Sequence, residues 1–518
     1  MEAKSFEIQS ETLFSESLIW KLNRDFYQES GISAFSDGIV PHHMTSSSFV
    51  GKTYAELIFA FLKDLAMKGE TTEVVYILEL GAGHGRLAYH TLKHLQKLLD
   101  STNENLPGYC YVLSDIVEEN LAFFMDHPQL KQYLGEGLLD IAYFDAVQSE
   151  KLHLRYADKS ITTQSLTHPL VAVANYFFDS LPNELYFIED GIISACSVAI
   201  NSINDPEGMD TTWLIENMDF TYSKSTTQVP ESQEGIQNEI LEDYGNQLSG
   251  TYMFYPEKAM LCLRHLKNLS RAGLVLLTMD KGFHELHQLK DNKEPEVITH
   301  GSFSLWVNYH ALSAYCTKQG GKVLFPSSSN FHLEIGCLLF LPDAESYVQV
   351  DAAYQQFVNN FGPDDFDSIK QMAYFNVASL DLMQLIALYR LSCYDSTFFI
   401  HLLPRLKQVK QSISLIERNR LAQTLDEIWG MYFSISEPFD LPFEIGAIFF
   451  DLGYYNKALV YFQHSVDLFG EKADIFYNQA LCHYHLRNDE VFYRVLNEGK
   501  IAFPDFESFS NLEALDMG

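Results

Sequence analysis

Between residues 74 and 99 the hydrophobic rhythm of the chain changes abruptly. Val74-Val75-Tyr76-Ile77-Leu78 is a continuous, β-rich apolar run that ends in Glu79 and Leu80. Gly81-Ala82-Gly83-His84-Gly85 comes next, and then Leu87, Thr91, Leu95 and Leu98 recur near helical spacing. The pattern predicts a strand over 74–80, a tight turn and a helix over 86–99. The alternation continues through 109–115, 117–126, 138–143 and 169–177. It resumes with a helix over 256–270, a strand over 273–280, a helix over 308–319 and strands near 321–326 and 332–341. Strands alternating with helices predict a parallel sheet with helices on both faces. Upstream, 13–35 and 52–68 read as helices, the second placing Tyr54, Leu57, Ile58, Phe61, Leu62 and Leu65 on one face.

Two stretches break the rhythm. Residues 205–243 hold ten acids, one base (Lys224) and a central Pro230, which predicts an acidic insertion, partly mobile and near the site, or else a solvated loop. From about 350 onward only helical periodicity remains, over 369–391, 395–408 and 411–433. Segment 439–472 follows the tetratricopeptide pattern through Ile445, Gly446, Phe449, Ala458, Phe462 and Ser465, although Pro442 stands where that repeat usually has an aromatic. A proline is tolerated there in the first turn of a helix. Advancing 34 residues gives Phe476, Ala480, Leu496, Gly499 and Pro504, with Phe492 too large for its small position. The expected organisation is therefore an N-terminal helical segment over 1–70, an α/β domain over 71–345 with the insertion at 205–250, and an all-α tetratricopeptide-like domain over 350–518.

Composition narrows the function classes. A chain of 518 residues exceeds one ordinary core. A net charge of −34 argues against nucleic acid or an anionic membrane surface as partner, because both require clustered Lys and Arg. The seven cysteines are scattered, without a C-x-x-C pair, so neither a disulfide framework nor a zinc ribbon is expected. Met1–Ser10 lacks the apolar core of a secretory signal, and no run is long enough to span a membrane. A cytoplasmic protein is the expectation.

The glycine turn excludes one cofactor class. A dinucleotide fingerprint needs a glycine at position 86, which is Arg86. The observed order, acid-x-G-x-G-x-G, is similar to the first motif of class I S-adenosylmethionine (SAM) methyltransferases. Such a site needs a carboxylate and glycine turn for the amino-acid part, an acid ending the second strand for the ribose hydroxyls, and an acid or amide ending the third for the adenine amino group. The chain offers Glu79 with Gly81, Ala82, Gly83 and Gly85, then Asp115 with Ile116 to pack on the adenine, then Asp145 with Ala146. Methyl transfer is an in-line displacement from a sulfonium, so the protein mainly aligns and desolvates the nucleophile. The fourth strand end, Asn175-Tyr176-Phe177-Phe178-Asp179, carries that task. Asn175 is placed to touch cofactor and to accept a hydrogen bond from a substrate nitrogen. Asp179 either pairs with a cationic substrate or caps a following helix. No metal site is expected, since His284-Glu285-Leu286-His287 has the wrong spacing and His42 and His43 lack a third ligand.

Asn175-Tyr176-Phe177-Phe178-Asp179-Ser180-Leu181-Pro182 resembles the N-E-F-F-D-A-L-P segment of the MidA methyltransferases, relatives of the mitochondrial complex I assembly methyltransferase. Thr45-Ser46 with Gly51, Ala55 and Glu56, Met279-Asp280-Lys281-Gly282, and Val307-Asn308-Tyr309-His310-Ala311-Leu312 are similar to further motifs of that family in the same order. The resemblance spans roughly residues 15–340 and implies SAM as cofactor, S-adenosylhomocysteine as product and protein arginine as acceptor. Tyr176, Ser48 and Lys281 depart from it, and two of these replace carboxylates that would orient a guanidinium. The expectation is a SAM-dependent methyltransferase acting on a nitrogen of a protein recruited by the helical repeats. A catalytically silent scaffold and a small-molecule methyltransferase whose helical tail forms a homodimer are the alternatives.

Overall fold

The computed structural model describes residues 5–40, 45–228, 235–300, 302–327, 333–410 and 413–513; His42, His43 and Pro230 lie outside the described residues. The chain divides into two compact units, Met1–Ser368 and Ile369–Gly518.

The first unit is built on seven strands: β1 (Val75–Leu80), β2 (Tyr109–Asp115), β3 (Leu139–Tyr143), β4 (Leu170–Asn175), β5 (Leu274–Phe283), β6 (Lys322–Leu324) and β7 (Leu333–Phe340). Their order is β6-β7-β5-β4-β1-β2-β3, with Val307–Asn308 paired beside the end of β5. The strands from β3 to β5 run parallel, and β7 is antiparallel to both its neighbours. This is the α/β sheet expected from the alternation, with the antiparallel β7 added to its parallel strands. All six residues of β1 are buried, because a parallel strand covered on both faces has no solvent side. The chain order reverses between β1 and β4, which opens a crevice at their carboxyl ends.

Three helices shape that crevice. Helix α1 (Leu18–Ser30) starts at Ser17, whose hydroxyl accepts from the Ile19 N–H. Helix α2 (Ser48–Met67) crosses α3 (Arg86–Asp100) so tightly at Gly51 that a Cβ there would lie 2.5 Å from His90 Cβ. Asp64, buried on α2, accepts from the Gln349 and Val350 N–H groups at 3.0 and 2.9 Å and thereby caps the helix Val348–Tyr354.

The sequence reading needs three corrections in this unit. The N-terminal segment is not purely helical. Phe6–Leu13 is a strand of a second, antiparallel sheet with Glu184–Glu189, Ile192–Ser202, Asp219–Gln228 and Thr251–Tyr255. The acidic stretch is not a plain loop, since it supplies the strand Asp219–Gln228 and the helices Thr211–Glu216 and Gly235–Gln247. Its acids hid an alternating pattern that needs the partner strand Ile192–Ser202 for its meaning. Finally, the helix expected over 13–35 is cut at Gly31, which has φ +49°. The second sheet has its own core of Phe14, Leu185, Phe187, Val198 and Ile200, into which Ile19 and Trp20 of α1 are packed. The Trp20 indole N–H donates to the Phe14 carbonyl at 2.8 Å, so this sheet sets the position of α1.

The second unit is helical. The stretch read as one helix over 369–391 is broken, because Asp381 and Gln384 form a capping box that starts a new helix, Leu382–Leu391. Further on, Leu441–Asp451 packs on Tyr455–Phe469, and Ala473–His485 on Asp489–Ala502. Pro442 lies in the first turn of its helix, where its missing N–H has no intrahelical partner to lose. A Cβ on Gly446 would fall 2.8 Å from the Phe462 ring, so these two helices pack at backbone distance.

Asp64→Ala leaves two N–H groups of the buried helix end without an acceptor. The expected loss is about 1–3 kcal/mol, read as a lower urea midpoint with unchanged m-value.

Candidate functional site

β1 ends in a turn whose three glycines all have positive φ: Gly81 at +59°, Gly83 at +58° and Gly85 at +75°. Side chains are strained in this region, which is why the turn is written in glycine. The turn is held from below by the Ala82 N–H on the Ser114 carbonyl and the Gly83 N–H on Asp115 Oδ2, at 2.9 and 3.0 Å. Above it lies a cavity of about 350 Å³, within the size range of small-molecule sites. A larger cleft of about 800 Å³ beside Lys97, Tyr109 and Tyr133 sits at the opposite, amino-terminal ends of β2 and β3. Parallel sheets bind ligands at the carboxyl ends, so the smaller cavity is the relevant one.

The structure brings most of the expected residues to that cavity. Glu79, Gly81, Ala82, Gly83, Asp115, Ile116, Asp145, Ala146, Asn175, Tyr176 and Asp179 all line it. Gly85 does not. Its missing Cβ instead makes room for the Phe124 ring where α3 begins.

Each carboxylate has a distinct environment. Glu79 is buried and accepts from the Tyr111 hydroxyl at 2.7 Å; burial outweighs that bond and pushes its pKa up to about 8. Asp115 accepts from the Gly83 and Val117 N–H groups and from the Asn120 amide. Burial still raises its pKa. A carboxylate offers about four lone-pair positions, so little capacity remains for two ribose hydroxyls. The Asn120 amide oxygen, buried without a partner among the described residues and bordering the same cavity, supplies a second acceptor. That orphaned oxygen and the open glycine turn fit the adenosine and amino-acid parts of SAM. Asp145 accepts from the Val147 and Gln148 N–H groups and pairs with Arg24 of α1 at 2.6 Å. Burial opposes the charge, but Arg24 and the N–H groups prevail and hold Asp145 below the usual carboxylate range. One lone pair is left for an adenine amino group.

At the other end Asn175 is committed on both sides, its amide oxygen accepting from the Tyr54 hydroxyl at 3.2 Å and its NH₂ donating to the Thr45 carbonyl at 3.1 Å. Tyr176 sits at φ +49°, a conformation rare for a bulky residue, and its N–H donates to the Met279 carbonyl. Asp179 lies in a 3₁₀ turn, Phe178–Ser180, followed by the strand Glu184–Glu189, so no helix is there for it to cap. Its carboxylate is buried, which pushes the pKa up to about 6 against the Ser180 hydroxyl and the Lys281 charge. Asp280 stands behind it, accepts from the Asp179 and Lys281 N–H groups, and is raised further by burial and by Asp179.

Sequence reasoning missed the roof. Trp20, Asn23, Arg24 and Tyr27 share one face of α1 and line the cavity, as does Phe35, whose ring lies 3.0 Å from where a Gly83 Cβ would be. The signal was present as polar Asn23 and Arg24 at helical spacing among buried aromatics. His84 is buried, faces the same cavity and meets Phe35 edge-on. His284 bonds to buried Glu334 at 2.8 Å, and among the described residues no group of three or more His, Cys, Asp or Glu is placed to hold a metal. All seven cysteines are buried and unpaired, and no helix among the described residues is long and apolar enough to cross a membrane.

A family model described as "Putative S-adenosyl-L-methionine-dependent methyltransferase" matches residues 55–295. The match agrees with SAM as the cofactor, and it spans β1 to β5 with every expected cofactor residue. No curated protein matches. Among solved structures, an uncharacterized protein from Burkholderia thailandensis is similar at 15% identity and TM-score 0.38, over 67% of this chain and 82% of that one. A second B. thailandensis protein, solved bound to S-adenosyl-homocysteine, is similar at 15% identity and TM-score 0.34, over 66% and 87%.

Glu79 yields a pH prediction. With a pKa of about 8, it is protonated in the unliganded protein at neutral pH. An ammonium seated beside it favours the ionised form, so binding expels a proton. S-adenosylhomocysteine should bind more tightly as pH rises from about 5 to 8. Its binding heat at pH 7 should vary with buffer ionisation enthalpy. Glu79→Gln should remove both effects.

Proposed function

We propose that the chain transfers a methyl group from SAM to a nitrogen acceptor, and that its C-terminal helices recruit a protein that carries it. The observation that carries the first part is the cavity at the β1–β4 switch point. Acceptors suited to ribose and adenine lie at one end, and a buried carboxylate, Asp179, stands at the other. SAM bound there supplies an electrophilic methyl group. Asn175, locked by Tyr54 and Thr45, gives the transfer end a fixed wall rather than a mobile acceptor. Asp179 is the group able to take the nitrogen's proton, because burial raises its carboxylate above the usual range and makes it a stronger base.

The protein-substrate part is supported by the paired helices of the second unit, whose tetratricopeptide-like spacing suits an extended groove. The resemblance to the MidA methyltransferases supports it as well. A small-molecule acceptor is the second reading, favoured by the way α1 and residues 302–304 wall the cavity through Trp20, Tyr27 and Phe303.

Calorimetry with S-adenosylhomocysteine should give micromolar-range binding, lost on Gly83→Val and weakened at least tenfold on Asp115→Ala. Absence of binding by well-folded wild type would sink the proposal. With methyl-labelled SAM and cell extract, label in the macromolecular fraction supports the protein reading, and label in the low-mass fraction supports the other. The rate of labelling should rise as pH increases through about 6 and lose that rise in Asp179→Asn.

A further inference from the structure

The cavity holds two long cationic side chains, and only one of them is spent. Arg24 is paired with Asp145. Lys281 lines the transfer end, two residues beyond Met279, where β5 pairs with Asn175 of β4, and next after Asp280. Its backbone N–H is used by Asp280, but its ammonium makes no hydrogen bond or ion pair among the described residues. It interacts with Asp179 and Asp280 through charge alone. Strand alternation places Asp280 and Lys281 on opposite sides of β5, so Asp280 is buried behind the wall while Lys281 borders the cavity.

These positions are unsuited to a guanidinium. A guanidinium is held by carboxylates that match its fork, with free oxygen lone pairs on one plane. Asp280 has turned its oxygens to backbone N–H groups, and the remaining acid, Asp179, shares its surroundings with a lysine. A cation entering here would meet the Lys281 charge with one carboxylate to offset it. An acceptor bearing an anion would instead complete the uncommitted charge of Lys281.

We propose that Lys281 is a specificity-determining residue and that the acceptor carries a carboxylate or another anionic group close to its nucleophilic nitrogen. The inference rests on the methyl-transfer reading above. The nitrogen faces Asp179 and the anion faces Lys281. The nitrogen lone pair forms the new N–C bond as the S–C bond breaks, the bonding pair leaves on the neutral sulfide, and the nitrogen's proton passes to the Asp179 carboxylate. Atoms and charge balance without a further reactant.

The test uses full-length protein saturated with S-adenosylhomocysteine, with malonate as the anionic probe and methylguanidinium as the cationic one. Saturation of the wild type is established first. If the wild type does not bind S-adenosylhomocysteine, the methyl-transfer reading fails and takes this inference with it. If it does, calorimetry should show malonate binding that weakens at least tenfold in Lys281→Met, is retained in Lys281→Arg, and leaves cofactor affinity within twofold. Malonate binding unchanged in Lys281→Met overturns the assignment. So does a wild type that binds methylguanidinium in preference. A loss of S-adenosylhomocysteine affinity in Lys281→Met overturns it too, because the ammonium would then serve the cofactor's own carboxylate.

Discussion

Three left-handed residues within five, Gly81, Gly83 and Gly85, are the constraint on which the cavity depends. β1 must stop at the switch point, reverse over the end of the sheet and enter α3 without a side chain filling the space above. The turn is tied to the sheet by one bond in particular, the Gly83 N–H on Asp115, which joins the end of β1 to the end of β2. The same carboxylate organises Val117 and Asn120. The residue expected at the ribose therefore also organises the local fold. Replacing Asp115 removes the support of the turn that borders the cavity, so any effect on binding comes together with an effect on stability.

The second sheet gives the site its roof. Trp20 and Ile19 are packed into the core of that sheet, which holds α1 at a fixed height above the glycine turn. From there α1 lowers Arg24 onto Asp145, and the segment after it lowers Phe35 onto Gly83. The residue expected to read adenine is thus neutralised by a helix more than a hundred positions earlier in the chain. Such a pair costs desolvation of both groups, and its geometry, with two backbone N–H groups on the other oxygen, is what offsets that cost.

Charge divides the two ends of the cavity. At one end, Arg24 and N–H donors stabilise Asp145 as an anion, while Asp115 lies close by with its donors already assigned. At the transfer end, burial works against ionisation of Asp179 and Asp280, and Lys281 partly compensates. Glu79, between the two, is held closer to neutrality by its buried setting. A ligand ammonium seated beside Glu79 favours its ionised form, which ties ligand binding to proton release.

Much of the architecture was legible in the residues. A short, β-rich apolar run broken by glycines reads as a strand covered on both faces, and glycine at 81 and 83 with an acid at 79 specifies a turn built for close approach, so the sheet and the cofactor end could be read locally. The second sheet could not. Phe6–Leu13 and Asp219–Gln228 gain their meaning from pairing with Ile192–Ser202, a contact between positions nearly two hundred residues apart in one case. Gly85 turned out to be a packing glycine, and Asp179 to have no helix to cap, because both roles are set by neighbours in space rather than along the chain. The sequence alone determined which cofactor chemistry the chain is written for, since that depends on backbone conformations that residue types dictate. Only the tertiary structure decided which charges are directly paired, because that depends on neighbours in space: Arg24 meets Asp145, while the Lys281 ammonium has no hydrogen-bonded partner among the described residues.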